Sequence, residues 1–335
     1  MASLNDGPST ASSAVTASPA ANSHASPSSV LLILGSCTSL QFGAALAAQL
    51  FDDLGSWGVT VLRLGLAAVA LVAVTRPSIR RWTRRQWLGV ALFGLAMAGM
   101  NGFFYAAIAR IPLGTAVAIE FLGPLVLAAV LSRKRADIVC VALAAAGMAL
   151  LGVESLVGDD PLDPVGVCFV LLAAASWAGY IVTSARVGQR VPGAGGLAMA
   201  MVVGTLAVLP MGLPGAVVGL TDPHLLGLAA LTALLASIIP YSLEFAALRR
   251  MPRHVFGVLM SLEPVVAALA GWLILDQRLG LWRSVAICLV VAASVGAAIA
   301  NRPRGPRRRQ NSAADDDHDL TPDARTPTPA LPDPR

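Results

Sequence analysis

The chain has 335 residues, of which 56% are hydrophobic and 13% charged, with a formal net charge of +5. A soluble domain carries about a quarter charged residues and needs roughly 25–35% of them on its surface, so composition excludes a soluble enzyme and a secreted disulfide scaffold. The basic residues sit in short clusters between apolar runs, the mark of membrane topology rather than of a nucleic-acid face.

Residues 1–28 are rich in Ser, Ala and Pro, lack a basic n-region, and read as a disordered N-terminal tail. Ten apolar segments of spanning length follow, at 30–51, 57–75, 86–109, 112–131, 136–156, 164–185, 195–219, 224–248, 252–275 and 279–300. About 20 residues cross the hydrocarbon at about 1.5 Å each. Only helices and closed barrels satisfy all their backbone groups there. The expected fold class is therefore an all-α integral membrane protein with ten transmembrane helices. Residues 302–335 combine an Arg/Pro stretch, Asp315–Asp317 and Pro/Thr repeats, and read as a disordered tail whose basic part lies against anionic lipid heads.

Basic residues set the expected orientation. One set of loops holds Arg76, Arg80, Arg81, Arg84 and Arg85, then Arg133, Lys134 and Arg135, then Arg186 and Arg190, then Arg249, Arg250 and Arg253. The other set holds Arg110, Arg278 and Arg283 among seven aspartates: Asp52, Asp53, Asp159, Asp160, Asp163, Asp222 and Asp276. The positive-inside rule then places both termini in the cytoplasm.

An internal repeat appears at an offset of 140 residues. It pairs Ala106 with Ala246, Ala107 with Ala247, Arg110 with Arg250, Pro112 with Pro252 and Pro124 with Pro264. The copies are five spans apart, so they cross the membrane in opposite directions. Inverted repeats of this kind build secondary transporters, with a site near midplane where the halves meet. The expected organisation is one five-helix repeat over 29–156 and a second over 164–301. Pro124 and Pro264 fall about twelve residues into their spans and are the expected helix-kink positions, because proline cannot bond the carbonyl four residues earlier. Those carbonyls belong to Glu120 and Met260.

Polar residues inside the spans are the candidate site. Glu120 lies roughly 12 Å deep in the fourth span and Glu263 lies near the middle of the ninth. Each costs about 3 kcal/mol at the bilayer centre unless paired, protonated or facing a water-filled cavity. Arg63, Gln41, Asn101, Tyr105, Trp177, Tyr180, Tyr241 and Glu244 complete the set. Together these groups could surround a small zwitterion, although each singly fits an interhelical hydrogen bond as well. Arg63 fits pairing with a carboxylate, and outward snorkelling equally. No nucleophile–base pair, metal-ligand spacing or phosphate-binding glycine loop occurs. Cys37, Cys140, Cys168 and Cys288 are far apart in apolar runs. Neither enzymatic activity nor a cofactor nor a metal is expected, and no nucleic-acid partner.

Several stretches carry a resemblance: Ser39–Ala47, Val59–Leu64, Gly99–Tyr105, Ile111–Leu125, Pro240–Glu244 and Gly257–Pro264. On these the chain resembles the EamA-type branch of the drug/metabolite transporter superfamily, and within it the bacterial inner-membrane threonine/homoserine exporters. The similarity covers 29–301. It implies ten helices in two inverted EamA repeats, cytoplasmic termini and efflux of small amino acids by proton exchange. Leu122 departs from the exporter motif, which would carry a small polar residue there, and one lost hydroxyl contact can change selectivity.

The expected function is export of small neutral amino acids across a bacterial inner membrane by proton antiport, with Glu120 and Glu263 exchanging a proton for the substrate ammonium. The partners are the amino acid, protons and membrane lipids, and a homodimer is left open. The alternatives are an exporter of drugs or other hydrophobic or aromatic metabolites, and a uniporter-like facilitator.

Overall fold

Aliphatic runs become helices here, but several of the helices are broken at points that hydropathy does not mark. The computed structural model describes residues 27–132, 135–157, 161–191, 194–248, 256, 259–278 and 280–300. The expected tails at 1–28 and 302–335 lie outside these residues, except that Pro27 and Ser28 already belong to the first helix.

Helix α1 (Pro27–Gln49) is followed after a single residue by α2 (Phe51–Thr75), which therefore starts earlier than the expected 57. The early start depends on Gly55, whose φ of 67° is open to glycine without a Cβ penalty and lets the chain turn before the long run of the helix. A 3-10 turn (Ile79–Arg81) leads to α3 (Arg84–Ile108). A capping box fixes that start: the Thr83 hydroxyl accepts from the Gln86 backbone N–H while the Gln86 side chain accepts from the Thr83 N–H.

The fourth span is two helices, α4 (Leu113–Glu120) and α5 (Leu122–Ser132), with a turn at Phe121. Helix α6 (Arg135–Val157) follows, then α7 (Pro164–Arg190), which starts on Asp163 and carries proline at a position where the missing N–H is harmless. After α8 (Gly195–Thr221), the Asp222 side chain caps α9 (Pro223–Ala233). That helix passes through a π turn (Leu234–Ile238) into α10 (Ile239–Leu248). The last described helices are α11 (Glu263–Leu275) and α12 (Leu281–Ala300).

Among the described residues, eight helical stretches are long and apolar enough to cross a membrane, the broken ones Leu113–Leu131 and Pro223–Glu244 included. Two shorter apolar stretches, Ile138–Leu151 and Glu263–Leu275, accompany them. Packing joins helices distant in sequence. Helix α2 lies on α8, α3 on α7 and α8, α1 on α10 and α11, α4 on α7 and α11, and α6 on α12. Small residues permit the closest crossing: a Cβ on Gly215 would strike the Leu54 carbonyl oxygen, and one on Gly58 would meet Gly215 Cα at 2.9 Å. With no hydrophobic driving force in lipid, such backbone approach is what holds membrane helices together.

Candidate functional site

Polar side chains from seven helices converge on one cavity of about 160 Å³. Gln41 enters from α1, Arg63 from α2, Asn101 from α3, Glu120 from α4, Trp177 and Tyr180 from α7, Glu244 from α10 and Glu263 from α11. Three of the contributing elements break at the cavity wall. Glu120 is the last residue of α4, Glu263 is the first of α11, and Ala236 and Pro240 flank the end of the π turn. Proline explains each break, because Pro124, Pro264 and Pro240 offer no N–H to the carbonyls of Glu120, Met260 and Ala236. Pro124 is the third residue of α5, and Pro264 stands in the first turn of α11. π turns of this kind are frequent at functional sites.

The hydrogen bonds sort the polar groups into three clusters. Gln41 Nε2 donates to Glu263 Oε1 at 2.9 Å. Ser36 Oγ donates to Glu244 Oε1 at 2.8 Å, linking α1 to α10. Arg63 Nη1 donates to the Tyr105 hydroxyl at 3.0 Å, and Nη2 donates to Asn101 Oδ1. Asn101 in turn donates Nδ2 to the Met97 carbonyl at 2.8 Å. Arg63 is 5% exposed and its guanidinium carbon stands 4.6 Å from the Tyr105 ring centroid. Glu120 has no hydrogen-bond partner among the described residues and lines the cavity together with Phe121 and Trp177, whose rings meet edge to face at 5.0 Å.

Buried polar atoms are normally satisfied, so exceptions are informative. Among the described residues three buried side-chain atoms have no partner: Gln41 Oε1, Arg63 Nε and Glu263 Oε2. All three belong to side chains of the cavity wall. Two are acceptors, an amide oxygen and a carboxyl oxygen, and one is a donor on a cation. Arg63 forms no salt bridge with an acid among the described residues, since its partners are a phenol and an amide. The wall thus carries three carboxyl groups and one guanidinium, with Met100, Phe104, Phe121, Trp177 and Met260 supplying apolar surface. Such a wall can hold a small molecule bearing both an ammonium and a carboxylate.

Of the residues singled out in the sequence, Gln41, Arg63, Asn101, Glu120, Trp177, Tyr180, Glu244 and Glu263 line the cavity. Tyr105 is fully buried behind it as a partner of Arg63. The Tyr241 side chain lies outside the described residues, although its backbone belongs to α10. Sequence reasoning missed Ser36 and Ser39, which staple α1 to the π-turn region: Ser39 Oγ donates to the Leu235 carbonyl at 2.7 Å. The signal available for both was that Ser36 and Ser39, spaced i, i+3, put two hydroxyls on one side of an otherwise apolar helix.

A model of the EamA-like transporter family matches residues 164–299. The threonine/homoserine exporter RhtA of Salmonella typhimurium is 38% identical over 283 residues, covering 84% of this chain and 94% of that one. The threonine/homoserine exporter RhtA of Escherichia coli K12 is 37% identical over 275 residues, covering 82% and 92%. A solved crystal structure superposes with a TM-score of 0.54 at 20% identity over 82% of this chain and 98% of that one, a likeness of fold alone. Identity of this extent along nearly the whole of these relatives, together with a bundle of membrane-length apolar helices, places the chain in the EamA-like transporter family of the drug/metabolite transporter superfamily.

Proposed function

We propose that the chain exports small neutral amino acids, threonine or homoserine among them, across a bacterial inner membrane in exchange for protons. The carrying observation is the central cavity, in which Arg63 lacks an acidic partner while Glu120, Glu244 and Glu263 share the same wall. A neutral amino acid supplies what each end wants. Its carboxylate serves Arg63, and its ammonium serves Glu263 and Gln41, whose outer oxygens are unpartnered. Glu120 and Glu263 hold protons when the amino acid is absent and release them when its ammonium arrives. The named activity of the RhtA relatives supports this choice of substrate.

The working fold is ten spans in two inverted repeats, 29–156 and 164–301, with both termini cytoplasmic. Helix packing supports it. If each of the first five spans is exchanged with the one five later, α2 on α8 maps onto itself and so does α6 on α12. The same exchange turns α3 on α7 into α1 on α10, and α4 on α7 into α1 on α11. The arginine clusters on one set of loops support the orientation. The two halves then rock about their shared cavity, which opens alternately to either side.

Threonine uptake into inside-out vesicles, with and without an imposed pH gradient, tests the reading. Uptake should follow the gradient and collapse in Glu120→Gln and Glu263→Gln; gradient-independent uptake, or unchanged uptake in both variants, overturns proton antiport. A second reading, export of larger hydrophobic or aromatic solutes, is favoured by the Phe104, Phe121, Trp177, Met100 and Met260 side of the wall. Drug resistance on overexpression without amino-acid excretion would select it.

A further inference from the structure

Helices α3 and α7 pack together, and where α3 starts and α7 ends the Gln86 side chain donates to the Arg190 carbonyl at 2.6 Å. In the deep region the Phe93 and Tyr180 rings lie 5.2 Å apart, and a Cβ on Gly99 would meet Ser176 Oγ at 2.6 Å. Towards the start of α3 and the end of α7 a groove of about 230 Å³ opens between them. Its α3 wall follows the i, i+3, i+7 spacing of one helix face through Arg85, Leu88 and Leu92. Its α7 wall follows the same spacing through Thr183, Arg186 and Arg190.

Three features give the groove its chemistry. The first is uncompensated charge. Neither α3 nor α7 contains an acidic residue, and residues 54–119 and 164–221 contain none at all. The only salt bridge among the described residues, Arg110 with Asp163, is at the far ends of these helices. Arg85, Arg186 and Arg190 are all exposed, so three guanidiniums share one mouth with no salt bridge to an acid among the described residues. The second is an apolar floor. Gly89 lies in it between Leu88 and Leu92, and a Cβ there would come no nearer to Val187 than 3.5 Å. The third is a track leading inward. Leu88, Leu92 and Leu95 are 61%, 47% and 53% exposed in succession up the outside of α3.

A soluble anion would use the arginines and leave the track bare. A phosphate joined to an acyl chain uses both. We propose that this groove binds an anionic phospholipid, its phosphate held by Arg85, Arg186 and Arg190 and one acyl chain lying along Leu88, Leu92 and Leu95. Guanidinium suits the role because its planar donors pair with phosphate oxygens two at a time. Basic pockets between transmembrane helices recognise anionic headgroups by the same logic. The site also has a mechanical consequence. Asn101 of α3 and Trp177 and Tyr180 of α7 wall the central cavity, so a lipid seated in the groove adds to the Gln86–Arg190 bond in bracing the helix pair on which that cavity depends. This site does not rest on the identity of the transported solute.

The test uses the full chain purified in detergent and supplied with phosphatidylglycerol or with phosphatidylcholine of the same acyl chains. Phosphatidylglycerol should raise the thermal unfolding midpoint and remain bound in native mass spectra, whereas phosphatidylcholine should do neither. In the triple variant Arg85→Gln, Arg186→Gln, Arg190→Gln, retention of phosphatidylglycerol should weaken by about a hundredfold, from about 1 kcal/mol per basic residue. Should the triple variant fail to fold, the single Arg186→Gln and Arg190→Gln variants should each weaken retention several-fold. An equal response to phosphatidylcholine, or an undiminished response in the arginine variants, overturns the proposal. Full reproduction of the effect by soluble glycerol phosphate also overturns it and marks a free-anion site instead.

Discussion

Gln41 Nε2 donates to Glu263 Oε1 across 2.9 Å, so that α1 grips the very residue with which α11 begins. The two residues stand far apart in sequence, on elements that the proposed exchange of repeats would assign to different halves. Their bond orients a buried carboxyl group whose second oxygen remains unpartnered toward the cavity. Gln41→Leu removes the only hydrogen bond that Glu263 receives among the described residues. A hydrogen bond to a charged group is worth about 1.5–3 kcal/mol. Amino-acid transport by Gln41→Leu in proteoliposomes should therefore fall by about tenfold or more, with Gln41→Glu unable to restore it because it places an acid against an acid. Wild-type rates in Gln41→Leu would show that Glu263 needs no such positioning.

Arg63 is held by neutral partners. Tyr105→Phe keeps the ring over which the guanidinium sits but removes the oxygen that accepts from Nη1. A buried donor left without its acceptor costs about 1–3 kcal/mol, so Tyr105→Phe should lower the thermal unfolding midpoint measurably. Arg63→Met should lower it further, because Tyr105 and Asn101 both lose their donor. Arg63→Lys should not rescue transport, since one ammonium cannot reproduce a fork that reaches Tyr105 and Asn101 together.

The crossing of α2 and α8 has no room for a side chain. A Cβ on Gly215 would collide with the Leu54 carbonyl oxygen, and the Gly58 backbone lies just beyond. Overpacking of a tight contact costs about 1–3 kcal/mol. Gly215→Val should therefore lower the unfolding midpoint and broaden the size-exclusion profile. The control Gly188→Ala, where a Cβ meets nothing within 4 Å, should neither lower the midpoint nor broaden the profile.

Asp163 titrates with a definite sign. The Val165 backbone N–H, bonded to Oδ1 at 2.8 Å, holds its carboxyl below the ordinary aspartate value of 3.8, with help from the Arg110 guanidinium at 3.1 Å. A depressed carboxyl stabilises the fold above its unfolded value and loses that contribution as pH falls through the folded one. The stability advantage of the wild type over Asp163→Asn should thus be constant near neutral pH. It should then shrink once the pH drops below about 3.8. A difference in unfolding midpoint that persists undiminished to pH 2 would show that Asp163 acts only as a polar cap.

Much of this site was legible before any coordinates. Glu120, Glu263 and Arg63 stand out because a charge in an apolar run has no business there except at a partner or a cavity. Pro124 and Pro264 announced helix breaks through the hydrogen bonds they cannot make. What those residues would bond to was not legible. Arg63 is compatible in sequence with any carboxylate at similar depth, yet it bonds Tyr105 and Asn101. Glu244, near a helix end and open to snorkelling, instead takes a hydrogen bond from Ser36. The π turn at Leu234–Ile238 also escaped, because an extra residue in a helical turn leaves the apolar pattern almost unchanged.

The division has a physical cause. Hydrocarbon tolerates no unpaired backbone, so composition and run length alone determined that this chain is helical and membrane-embedded, and the scarcity of polar groups in its spans determined which ones matter. Which helix lies beside which is a different kind of fact. Apolar faces in lipid are nearly interchangeable as neighbours, and the choice among them falls to close backbone approaches such as Leu54 on Gly215 and to single hydrogen bonds such as Gln41 to Glu263. Only the packed bundle could decide those, and with them the cavity where three carboxyl groups and one guanidinium meet.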